Sequence, residues 1–408
     1  MRDALRPEAT THGRDKPGRG RRFTTRRWIA TASISAAVVV GAAVSPAGAE
    51  GMGPGEDHGP SGNAFVQTNL VSNRTDQGAQ VVDANLKNPW GVSMGPMTPL
   101  WVSDNNAAVS TLYSIVPGGT SVMKVPRTVN IQGGRASTGD GPSPTGQVFN
   151  PTTGFEITGP GGTGPANFIF DSESGHITAW SLKTNPFSPD TATAELAPVD
   201  MNLSGTAVYK GLAIATDSDG TFLYASNFHD GKIDVINDQW QLQQLSPGRF
   251  ADPSLPPGYA PFGIQAINDL LYVSYAKQNA DAHDDVAGQG HGFIDIYTLN
   301  GFLVERLVSR VGLNSPWGME IAPASFGSVA GKLLVGNFGD GRISVFDPFR
   351  PLHVLGQLRD EHHRAITIDG LWALRVGTAA TGGTGTLLFT AGINDEQDGL
   401  LGSINPAS

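Results

Sequence analysis

Short runs of alternating apolar and polar side chains recur along the chain. Ile233-Asp234-Val235 and Ile343-Ser344-Val345 are examples. A period of two places the apolar members on one face of a strand. The runs come in a fixed order. A Gly with an aromatic or apolar neighbour opens a short strand. A β-rich strand ending in a small or polar residue comes next, and then a Gly-containing turn leads into another alternating strand. This unit occupies 88–92, 100–105 and 111–115, then 150–155, 167–171 and 175–180, then 209–213, 222–228 and 231–236. It recurs at 261–264, 271–275 and 292–297, at 316–319, 333–338 and 341–346, and at 369–374, 387–391 and 399–404.

The anchor glycines of these units are Gly91, Gly154, Gly211, Gly263, Gly318 and Gly370, with gaps of 63, 57, 52, 55 and 52 residues. Four short strands with their turns fill such a length, which is the content of one propeller blade. The pattern predicts an all-β, six-bladed β-propeller with four-stranded blades over residues 64–408. Each anchor Gly suits a crowded hub where a side chain would strike the next blade. The last unit ends too close to the C-terminus for a fourth strand. Residues 65–71 read as a strand ahead of the first blade and are expected to close the ring by supplying the missing outer strand.

Composition agrees. There are 53 Gly and 28 Pro, and only 16% of residues are charged, which suits turns and strands better than surface helices. Cysteine is absent, which excludes disulfides, thiolate metal sites and thiol nucleophiles.

Charge changes the reading of the N-terminus. Arg2 to Arg27 is a basic stretch, Trp28 to Val44 is uncharged, and Ala47-Gly48-Ala49 fits a small-residue cleavage site. Residues 1–49 are expected to be a signal peptide and 50–63 a flexible leader. Arg26-Arg27 admits the twin-arginine route beside the general secretory one, with a retained anchor as a third reading. The expected location is extracellular or in the cell envelope. Removing 1–49 takes nine of the 27 Lys and Arg and three of the 37 Asp and Glu, so the net charge moves from −10 to −16. That excludes a phosphate-backbone binder, and no nucleic-acid partner is expected. No later segment is apolar enough to span a membrane.

Several phrases resemble an uncharacterised family of exported bacterial six-bladed propellers, some of whose members carry a Pro-Glu-Pro-type sorting tail. They are Asn88-Pro89-Trp90-Gly91, Tyr209-Lys210-Gly211-Leu212-Ala213, the run 333–341, Asp369-Gly370-Leu371-Trp372-Ala373-Leu374, and Asn394-Asp395-Glu396 with Asp398-Gly399-Leu400. The likeness runs from about Asn69 to Ile404, and the sorting tail is missing. It implies fold and export and is silent on chemistry. More distantly, the repeat resembles NHL and gluconolactonase-type propellers, some of which hold a divalent cation in the central channel.

Propellers place function at one end of the central channel. The expected mouth residues are Trp90, Asp104, Lys210, Asn227, Trp317, Asn337 and Trp372. Asp104, Asn227, Asn337 and Asp395 would suit Ca²⁺ if their oxygens converge, although Asp and Asn at strand ends also make turns on their own. The tryptophans beside the anchor glycines have packing between blades as their ordinary role, with stacking on a sugar as the other reading. His283, with Asp281, Asp284 and Asp285, lies in a long insertion, and 133–146 is a Gly-rich loop; either could cover the mouth. There is no Gly-x-Ser-x-Gly elbow and no His-Glu-x-x-His helix. Two readings stay open: a monomeric scaffold that binds a small molecule, glycan or protein, and a metal-dependent hydrolase or lyase of gluconolactonase-like type.

Overall fold

The computed structural model describes residues 64–134, 141–185, 191–198 and 206–407. The expected signal and leader lie outside these residues. Among the described residues, regular structure is β apart from two short 3-10 turns, Asn105–Ala107 and Gly327–Val329.

The strands form antiparallel meanders. The first (Pro89–Ser93, Leu100–Asp104, Val109–Ile115, Val122–Ile131) and the second (Pro144–Phe149, Phe168–Ser172, Ile177–Trp180, Thr191–Leu196) share one eight-stranded sheet through a parallel pairing of their outer strands. The third has three strands, Tyr209–Asp217, Gly220–Asn227 and Lys232–Asn237, with a single bridge from Ile236 to Leu242 where an outer strand was expected. The fourth (Tyr259–Ile267, Leu270–Lys277, Phe293–Thr298, Leu303–Ser309) and fifth (Pro316–Ile321, Leu333–Asn337, Ile343–Phe346, Val354–Gln357) are complete. The last runs Leu371–Val376, Leu387–Ala391, Leu400–Pro406. Its outer strand is Phe65–Ser72, paired antiparallel from Phe65 opposite Pro406 to Ser72 opposite Leu400. The first and last strands of the described residues therefore meet in one sheet, as the sequence pattern implies.

The first strand of each meander packs against the first strand of the next, and Leu371–Val376 packs against Pro89–Ser93. The arrangement is propeller-like. Apolar layers lie between consecutive sheets: Tyr224 and Val235 of the third, for example, join Leu271, Val273 and Tyr297 of the fourth in one buried cluster. Burying such side chains yields roughly 1.5–3 kcal/mol each, which is the main source of cohesion in a chain without disulfides.

The inner strands almost touch. A void of about 40 Å³ runs between Gly91, Gly146, Gly211, Gly263, Gly318 and Ala373. A Cβ on Gly146 would lie 2.2 Å from the Leu212 amide nitrogen, so backbone stands where a side chain would go. Two expected anchors are displaced from this ring. Gly154 belongs to a turn: the Asn150 carboxamide accepts from the Thr152 amide and hydroxyl at 3.0 and 2.7 Å, and Gly154 abuts Asp238. Gly146 takes its place, inside the segment expected to be a loop at 133–146. Residues 135–140 of that segment lie outside the described ones. Gly370 sits in a left-handed turn (φ 62°) against the Gly392 carbonyl, and Ala373 occupies the ring. Register irregularities recur around the ring position, as between Pro89 and Val92, Tyr209 and Leu212, and Pro316 and Met319. Such bulges re-aim side chains, and here they serve the residue just before each ring position.

Candidate functional site

The residues preceding the ring positions are Trp90, Thr145, Lys210, Phe262, Trp317 and Trp372. Five of them form a buried floor across the axis. Trp90 stacks on Trp372 with centroids 3.5 Å apart, and Trp317 meets both edge-on at 6.0 and 5.8 Å. The Trp317 indole N–H donates to the Lys210 carbonyl at 2.7 Å, and that of Trp372 to the Asn88 side chain at 3.0 Å. Lys210 is the one charged member, 2% exposed, with its Nζ 5.2 Å from the Trp90 ring centroid.

A buried ammonium needs partners, and two come from other meanders. Glu173, just after Phe168–Ser172, accepts from Lys210 Nζ and from the Asn105 carboxamide at 3.0 Å. Asp284, in the insertion of the fourth meander, accepts from Lys210 at 3.4 Å and pairs with His283 Nδ1 at 2.7 Å. The last meander adds Glu396, whose carboxylate accepts from the Asn88 carboxamide at 2.9 Å. The loop that brings it in is left-handed at Asn394, Asp395 and Glu396.

The surroundings move these groups apart in acidity. Burial acts to lower the Lys210 pKa, but the Glu173 and Asp284 charges outweigh it and leave it above the ordinary value. The His283 hydrogen bond, helped by Lys210, holds Asp284 at about 2. Burial raises Glu396 to about 7, against an ordinary 4.5. The folded Glu396 therefore keeps a proton where the unfolded chain has lost it. That stabilises the fold fully below about 4.5 and is lost as pH rises through about 7. Glu396→Gln is expected to melt above the parent protein in alkaline buffer, with the difference closing on acidification. Thermal scans across pH check this, and parallel profiles would contradict it.

The structure brings Trp90, Lys210, Trp317 and Trp372 together. It does not bring together the proposed Ca²⁺ set. Asp104 accepts from the Thr111 amide and hydroxyl at 3.1 and 2.7 Å. Asn227 donates to Asp234 at 2.9 Å, and Asn337 to Ser344 at 3.2 Å. Each meets the adjacent third strand of its own meander first, and Asn337 also accepts from the Asn314 amide at 2.9 Å in the segment that leads into that meander. Asp395 is exposed, and its neighbour Glu396 faces Asn88. Glu173, His283 and Asp284 do offer ligand atoms within 4.8 Å of one another. Ca²⁺ asks for six to eight oxygens; here one of the three donors is an imidazole nitrogen and both carboxylates already hold Lys210, so the set does not fit that ion.

Glu173 and Asn105 escape sequence reasoning because they read as turn residues, and Asn88 and Glu396 stand out there only as parts of family phrases. Lys210 carries the one usable signal, a charge at a position otherwise aromatic or small.

No family profile matches the chain. It is 32% identical over 340 residues to uncharacterised protein R648 of Acanthamoeba polyphaga mimivirus, covering 82% of this chain and 78% of that one. Uncharacterised protein L690 of the same virus is 30% identical, with 82% and 84% covered. The chain belongs to the family of these mimivirus proteins. These relatives are viral, where the sequence phrases pointed to exported bacterial proteins. Among solved structures it is similar to streptogramin B lyase (TM-score 0.42, 13% identity, 84% of this chain and 97% of that one). It is also similar to an α-L-arabinanase of Penicillium chrysogenum complexed with arabinobiose (TM-score 0.47, 10% identity, 84% and 98%).

Proposed function

We propose that this chain is an exported propeller of six blades that binds a small polar ligand at its axial mouth. The blade count is supported by the successive packing of the inner strands and by the spacing of the ring residues. Export to the envelope or exterior is supported by the basic N-terminus and the uncharged run after it. Among the described residues no helix is long and apolar enough to cross a membrane.

One observation carries the binding reading. The Lys210 ammonium is buried on an aromatic floor and shared between carboxylates from two other blades. A buried ion pair adds little stability over apolar packing, whereas fixed charges at an opening orient a ligand. A second reading, proton transfer to the ligand, is favoured by the separation of Glu396 at about 7 from Asp284 at about 2. Glu396 is then the acid or base and Lys210 the stabiliser of negative charge. The test is a thermal-shift screen with amino acids, polyols and dicarboxylates at millimolar concentration. Compounds that raise the melting midpoint of the parent protein are expected to lose that effect in Glu173→Gln and Glu396→Gln. Equal stabilisation of parent and variants would refute an axial site.

A further inference from the structure

Away from the axis, a cleft of about 570 Å³ opens between the third and fourth meanders. It lies among the hairpin turn Asp217 to Gly220, the end of Lys232–Asn237 with the segment after it, and the hairpin turn at Leu299 and Asn300. Its size falls within the range of small-ligand pockets. None of its lining residues belongs to the axial site.

The lining has a consistent chemistry. Phe222 supplies partly exposed aromatic surface, backed by the buried Tyr224 and Phe250, whose centroids lie 5.9 Å apart and edge-on. Around them stand the carboxamides of Asn237, Gln239, Gln243, Gln244 and Asn300, and the carboxylates of Asp219 and Asp238. Among the described residues, no Lys, Arg or His lines the cleft. A carboxamide both donates and accepts, and a carboxylate only accepts. This set suits hydroxyl groups and offers nothing to balance an anion.

A second observation points the same way. Tyr224 is 1% exposed and lines the cleft, yet its hydroxyl makes no hydrogen bond among the described residues. A hydroxyl that reaches the cleft without a protein partner is free to donate to a ligand acceptor. Burial pushes the Tyr224 pKa above its ordinary value, so the hydroxyl stays a donor.

We propose that this cleft binds a short neutral oligosaccharide, with a sugar ring against Phe222 and its hydroxyls on the carboxamides, the aspartates and the Tyr224 hydroxyl. An anionic sugar is disfavoured by Asp219 and Asp238. An apolar ligand would leave the carboxamides unpaired.

The test is calorimetric titration of the protein with cellohexaose, xylohexaose, maltohexaose and a hyaluronate oligomer. At least one neutral hexasaccharide is expected to bind and hyaluronate is not. Tyr224→Phe combined with Gln244→Ala is expected to weaken binding about ten-fold, the effect of losing one or two hydrogen bonds. Should that pair melt early, Gln243→Ala with Gln244→Ala on the lip carries the same expectation. No binding of any neutral sugar at millimolar concentration would overturn the proposal. So would undiminished binding by the cleft variants, or a preference for hyaluronate. Binding lost in Glu396→Gln but kept in the cleft variants would place the sugar at the axial mouth and also overturn it.

Discussion

Lys210→Met is expected to lower the unfolding free energy by about 3 kcal/mol near neutral pH, the lower end of the cost of removing one partner of a buried ion pair. Methionine preserves the apolar stem beneath Trp90, so packing is nearly unchanged and the loss is electrostatic. What remains is Glu173, with 16% of its side chain exposed, and Asp284, with 62%, facing each other without the ammonium. The exposure of Asp284 lets water take up part of its charge, which keeps the estimate low in the range. Protonation supplies a second escape. The variant's deficit is expected to shrink in acidic buffer, because Asp284, freed from Lys210, binds a proton more readily in the folded state. Divalent cations give a third. Removing the ammonium leaves Glu173, His283 and Asp284 donors within 4.8 Å of one another, so Mn²⁺ or Zn²⁺ is expected to restore part of the melting midpoint in Lys210→Met and to do little for the parent protein. Urea unfolding across pH, with and without metal, reads all three. A variant as stable as the parent and indifferent to metal would show that Lys210 is not the cation holding these carboxylates together.

The contrast between Lys210 and the expected Ca²⁺ ligands shows what can be read from order along the chain. The repeat is local: each meander spells out its own strands, and the closing strand Phe65–Ser72 is legible because the last unit runs out of residues. Asp104, Asn227 and Asn337 share one local position, and a shared position suggests a shared site. Their outcome depends on what stands beside them, and in each case that is the next strand of the same sheet. Glu173 and Glu396 show the reverse. Nothing local marks either as a site residue, since both lie in turns and Glu396 stands out only as part of an acidic phrase, and their meeting around Lys210 follows only once separate sheets surround an axis. Acidic residues distant in sequence acquire chemistry through convergence, which a period cannot encode.

Gly263→Ala is expected to cost about 3 kcal/mol, at the upper end for overpacking, and to leave little folded protein if the parent is marginally stable. A Cβ there would stand 2.1 Å from the Trp317 carbonyl oxygen and 2.8 Å from its carbon. Those are backbone atoms of the next inner strand, so no rotamer change relieves the contact, and moving that strand disturbs the whole ring. The same reasoning explains why Gly154 and Gly370 pass for ring residues in the sequence. Both glycines sit beside apolar strands, but one abuts a side chain and the other a turn carbonyl, and a Gly required by a local turn looks identical to one required by an axis. Ala373 is the internal control. The ring already accepts a methyl at that position, so Ala373→Gly is expected to cost only about 0.5–1 kcal/mol, mainly backbone freedom in the unfolded chain. Thermal or urea unfolding of the two variants side by side separates the cases. A Gly263→Ala protein as stable as Ala373→Gly would mean that the inner strands have room to spare, and that the closeness of the ring does not constrain the residue at its centre.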